Sequence, residues 1–85
     1  MATIRGGKQH HRDIAQTTID WAISRLGLSE HTFEITLVIQ ALDGHYGECF
    51  PAREAHRLRY NITVSPDQSL RDFIGTIVHE MIHVR

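Results

Sequence analysis

A single cysteine, Cys49, among 85 residues leaves no partner for an internal disulfide. A small scaffold stapled by disulfides is therefore excluded. Long apolar runs are missing too: none approaches the roughly 20 residues of a membrane span. The opening residues, Met1 to Lys8, lack the apolar core of a secretory signal. Nor does charge of one sign dominate. Nine Lys and Arg oppose ten Asp and Glu, and a net charge of −1 gives no overall drive toward nucleic acid or an anionic membrane. No segment repeats, and none is of low complexity. These absences point to one soluble domain spanning residues 1–85 in a reducing cytoplasm, with no membrane partner. At 41% hydrophobic residues the chain can bury a small core.

What is abundant is histidine, 7 residues, at positions 10, 11, 31, 45, 56, 79 and 83. Imidazole ligates metals and titrates near neutrality, so position decides what each one does.

The pattern predicts an α+β domain: an N-terminal helix, a small antiparallel sheet of two or three strands, and a C-terminal helix. Residues 1–9 read as a mobile lead-in. Ile14, Ile19, Ala22, Ile23 and Leu26 share a face at helical spacing, which predicts a helix over residues 10–26. Gly27 suits its left-handed cap, and Leu28 the hydrophobic contact after it. Trp21 lies off that stripe, toward a neighbouring element. Residues 33–42 are β-rich. Asp43-Gly44 signals a turn, and residues 45–51 read as a loop or a broken edge strand because they hold Gly47 and Pro51. Residues 57–64 alternate cleanly, with Leu58, Tyr60, Ile62 and Val64 on one face, as in a sheet covered on one side. Ser65-Pro66-Asp67 ends that strand. Ser69, with Asp72 three residues on, opens the last helix as a capping box, and Leu70, Phe73, Ile74, Ile77, Met81 and Val84 form its buried face.

That helix carries His79-Glu80-Met81-Ile82-His83. Residues four apart on a helix are neighbours on one face, so His79 and His83 can share one ion. Zinc takes nitrogen donors about 2.0–2.1 Å away in a tetrahedron, and two imidazoles supply two corners. Glu80 sits beside the first histidine on the adjoining face. From there it reaches a zinc-bound water as general base and later protonates the leaving amine. The competing reading is two solvated histidines on a polar helix face.

The strand Arg59–Val64, the spacer Ser65–Ser69 and the helix with its His-Glu-x-x-His resemble the small zincin metallopeptidases. The likeness is to SprT-like proteins and their short bacteriophage relatives, over roughly residues 33–85. The resemblance implies zinc as cofactor, His79 and His83 as ligands, Glu80 as catalytic base and a peptide or protein substrate. It also implies an active-site helix beneath an antiparallel sheet, an extended peptide bound at a sheet edge, and Gly47-Glu48-Cys49-Phe50 near the edge facing the cleft. For a phage protein the compartment is the host cytoplasm. The alternative is a zincin-shaped binding module without turnover, docking on a protein target.

In the resembled family the third protein ligand comes from beyond this helix, and only Val84 and Arg85 follow the motif here. Four sources stay open: a continuation beyond Arg85, an upstream residue (His45 or Glu48 first, then His10 and His11), a second subunit, or no tight site at all. Cys49 reads first as a small buried hydrophobe and second as a thiolate ligand. Tyr46 and Tyr60 are candidates to stabilise an oxyanion, with core packing the plainer role for Tyr60. Arg53, His56, Arg57 and Arg59 form a basic cluster that reads as a solvated strand face rather than a nucleic-acid contact. Apolar Met81, Ile82 and Val84 at the helix end suggest self-association into a homo-oligomer.

Overall fold

The computed structural model describes residues 2–28, 33–54 and 57–84, with backbone alone for residues 33, 52–54 and 57–58. Its elements are β1 (Ala2–Gly6), α1 (Gln9–Arg25), β2 (Phe33–Ile39), β3 (Gly47–Glu54), β4 (Arg57–Val64) and α2 (Leu70–Val84). The α+β class holds, with a helix at each side of the chain order. The sheet differs from the expectation: it has four strands, order β1-β2-β4-β3, and it is mixed. β1 and β4 each run parallel to β2, and β3 alone is antiparallel, paired with β4.

Two physical facts explain the difference. Side-chain alternation has the same period in parallel and antiparallel strands, so the residue pattern carries no strand direction. And residues 2–6, read as a mobile lead-in, are held as edge strand β1 by backbone pairing, with Ile4 opposite Leu37 and Gly6 opposite Ile39. The turn from β1 into α1 is clamped by Arg12, whose guanidinium donates to the carbonyls of Gly6 (3.1 Å) and Gly7 (2.8 Å).

One face of the sheet is apolar. Leu37 lies opposite Ile62, and Ile39 opposite Val64. Both helices cover that face, α1 with Ala15, Ile19 and Ala22, α2 with Phe73, Ile77, Met81 and Val84, all buried. The alanines let α1 approach closely. The other face is polar, and Glu34 meets Arg59 there at 3.2 Å, a partly exposed pair worth about 1 kcal/mol or less. The rest of the basic cluster, Arg53, His56 and Arg57, lies outside the described side chains. Gly27 closes α1 at φ 70°, a conformation that costs a residue with Cβ about 1 kcal/mol. Leu28 is buried behind it. Ser69 Oγ accepts from the Asp72 N–H at 3.2 Å, so α2 starts on the expected cap.

Residues 40–46 decide where β3 lies. They cross the end of β4: the Gln40 N–H donates to the Val64 carbonyl (3.0 Å), and the Ser65 N–H to the Tyr46 carbonyl (2.8 Å). The chain thus reaches the far edge before returning as β3. Pro51 is tolerated there because an edge strand has unpaired donors on one side.

His10 and His11 stack at 4.1 Å at the start of α1, and His11 lies 5.5 Å from the Phe73 ring. His11 Nδ1 accepts the Lys8 N–H at 3.3 Å, which requires an unprotonated Nδ1. Burial, then His10 and Lys8, push the His11 pKa below its ordinary 6.5. A histidine held neutral by the fold contributes stability above the unfolded value, and loses it as pH falls through 6.5 toward the lower folded value. His45 has the opposite sign: its hydrogen bond to Glu48 raises its pKa, so its contribution is present at low pH and lost as pH rises. We expect His11→Gln to weaken the fall in melting temperature between about pH 7 and 5. A profile identical to that of the unaltered chain would count against this role.

Candidate metal centre

α2 presents three faces. Phe73, Ile77 and Met81 point into the sheet. Ile74, Val78 and Ile82 follow one another at four-residue spacing on a second face, where Trp21, 55% exposed, shares a groove with Ile74 and Val78. Between these faces runs a polar stripe at three- and four-residue spacing: Asp72, Thr76, His79 and His83.

His79 and His83 lie one turn apart, with ring centroids 5.1 Å apart and planes at 84°. Both are exposed. Glu80 is not: it retains 5% of its surface. Its Oε1 lies 3.9 Å from His83 Nε2, beyond hydrogen-bond length. No donor reaches the Glu80 carboxylate among the described residues. The carboxylate oxygens are nonetheless not sealed off: every fully buried side-chain oxygen and nitrogen among the described residues has a hydrogen-bond partner, so those of Glu80 open to the cleft they line. One ligand atom from each of His79, Glu80 and His83 lies within 4.8 Å of the others. A tetrahedral zinc at ordinary bond lengths needs donors about 3.4 Å apart. The two imidazoles are exposed and free to rotate toward such spacing, so this group could hold a metal ion.

His79 and Glu80 line one end of a cleft of about 630 Å³, and His83 lies one helical turn further on. Tyr46 and Gly47 form one wall, and Arg71, Asp72, Gly75, Thr76, His79 and Glu80 the other, with Gln68 at the far end. Gln68 holds the walls together. Its Nε2 donates to the carbonyls of Ser65 (2.7 Å) and Tyr46 (3.4 Å), and its Oε1 accepts from Thr76 Oγ1 (2.9 Å). Gly47, the first residue of edge strand β3, lets the walls meet. A Cβ there would lie 2.5 Å from Thr76 Cγ2 and 3.2 Å from Glu80 Oε2. Gly47→Ala is expected to cost about 1–3 kcal/mol in urea denaturation. Thr76→Ser, which removes that methyl and keeps the hydroxyl, should restore most of the loss. Failure of the double variant to recover would show that the contact is not the cause.

The other residues singled out by sequence fall elsewhere. His45 and Glu48 bind each other at 3.0 Å, at the surface, and are not in the His79 group. His10 and His11 meet Phe73, six residues before His79, or about 9 Å along the helix. Cys49 is half-buried against the core, and burial, then the charge of Glu80, raises its thiol pKa. It therefore behaves as the small hydrophobe expected, and it is not in the metal group. Tyr46 lines the cleft, while Tyr60 packs on the core. Comparison with protein-family models, with curated proteins and with solved structures finds no match.

Gln68, Thr76 and Arg71 were missed as site residues. Thr76 was legible, because it lies three and four residues before His79 and Glu80 on the same stripe. Gln68 carried no signal, since its partners come from the turn after β4, from α2 and from the 40–46 loop. Among the described residues no helix is long and apolar enough to cross a membrane.

Proposed function

We propose that the protein is a zinc-dependent metallopeptidase domain, with His79 and His83 as ligands and Glu80 as general base. What supports this reading is the Glu80 carboxylate, carried on a largely buried side chain, without a donor among the described residues, within 4.8 Å of two exposed imidazoles and open to the cleft that it lines with His79. A bound zinc would supply Lewis acidity, polarising the scissile carbonyl and acidifying water. Glu80 takes the proton of the attacking water at its carboxylate and passes it to the leaving amine. Its confinement against Gly47 and Thr76 fixes where that carboxylate sits. The open side of β3 and the cleft beside it give an extended peptide room to lie within reach of Glu80. The test is zinc per chain, by elemental analysis of untagged protein at saturating zinc, beside a peptide hydrolysis assay. About one zinc per chain is expected, lost in a His79→Ala, His83→Ala double variant. A folded chain that keeps no zinc would sink the reading.

One observation favours a second reading, a binding module without turnover. His45 and Glu48, the upstream residues best able to complete the site, are engaged with each other. Target binding would then survive both Glu80→Gln and metal removal, and the peptidase reading would not.

A further inference from the structure

Two features of α2 are left over by this reading. With Glu80 kept as the base, the group of His79, Glu80 and His83 gives the centre two imidazoles, although zinc takes four donors. And the rim beside those imidazoles is apolar and bare. Helical spacing puts Glu80 to the buried side of His79 and His83, and Ile82 to the other side. Ile82 is 53% exposed. Val78, Ile74 and Trp21 continue the strip from there. Self-association was expected from Met81, Ile82 and Val84 together. Met81 and Val84 are in fact buried, so Ile82 alone of the three is available.

We infer that zinc, when scarce, bridges two copies of this chain, each giving His79 and His83. A two-fold axis through the ion makes both copies equivalent and closes a tetrahedron of four imidazole nitrogens. Both rings are exposed, with 58% of the His83 side chain open to solvent, so a second α2 can approach them. The same approach places Ile82 of each copy beside the axis and covers it. The apolar strip consists of four side chains, Trp21, Ile74, Val78 and Ile82, whereas a stable interface takes roughly 20–30 residues a side. The metal is therefore what decides association. A closed four-nitrogen site has no position for water or substrate. Excess zinc lets each chain take its own ion and reopens the site, so the device ties activity to zinc supply. The inference rests on the metal reading of His79 and His83.

The test uses the untagged full chain, stripped with a chelator, in sedimentation or light-scattering measurements during a zinc titration. We expect a monomer without zinc, twice the chain mass at one zinc per two chains, and return toward monomer with excess zinc or chelator. Ile82→Glu keeps both ligands and places two like charges at the axis. It should bind zinc and stay monomeric throughout. Zinc bound by monomers at every ratio would overturn the bridge and leave the metal centre standing. A chain that binds no zinc would overturn both. Dimerisation unchanged in His83→Ala would also overturn the bridge, because a second surface would be holding the copies.

Discussion

Glu80→Gln is expected to slow peptide hydrolysis by about 100- to 10,000-fold, the usual contribution of a general base. Zinc content should not change, because the imidazoles of His79 and His83 are untouched. The same substitution is expected to leave the stability of the metal-free protein within about 1 kcal/mol. The Glu80 side chain is largely buried, but its carboxylate has no donor among the described residues and opens to the cleft, so a neutral group of equal size neither loses a hydrogen bond nor relieves a sealed charge. Activity and stability would then separate at one position. Urea denaturation in chelator reads the second effect, and an assay at saturating zinc reads the first. Full turnover in the variant would remove Glu80 from the chemistry. A marked loss of stability in the metal-free variant would mean that the carboxylate has a partner in solution.

Phe73→Ala is expected to cost about 3–5 kcal/mol. The ring is 2% exposed, in the first turn of α2, and it touches His11 from α1. It therefore ties the two helices together as well as filling the core. A domain of this length has a total stability of about 4–13 kcal/mol, so the variant would be marginal or unfolded at ambient temperature. Its neighbour supplies the control. Ile74 faces outward and is partly solvated, and Ile74→Ala should cost about 1 kcal/mol or less. Equal losses at the two positions would mean that α2 is rotated from the orientation described here.

The pair His79 and His83 was legible because it needs only helical periodicity, a local property of α2. The buried face of Phe73, Ile77, Met81 and Val84 and the covered face of Ile62 and Val64 were legible for the same reason, but Leu70 and Ile74, expected on that helix face, are exposed, because they lie at its edge beyond the reach of the sheet. β4 was expected at residues 57–64 and is found there. β1 was not expected, because five residues with two apolar side chains carry little signal, and backbone pairing with β2 is what orders them. His45 and Glu48 were reasonable third-ligand candidates by residue type. Their three-residue separation instead lets them satisfy each other.

By itself the sequence determined the α+β class, the elements rich in periodic apolar residues, and two imidazoles one turn apart. These follow from repeats of two and 3.6 residues, which any stretch of chain carries locally. The tertiary structure alone decided the parallel pairing of β2 with β4, the cleft between Tyr46 and α2, and the burial of Glu80 against Gly47. Each depends on the 40–46 crossing over the end of β4, which brings residues 19 to 33 positions apart into contact. No local period records such contacts, and here they bury most of the Glu80 side chain while its carboxylate stays open to the cleft.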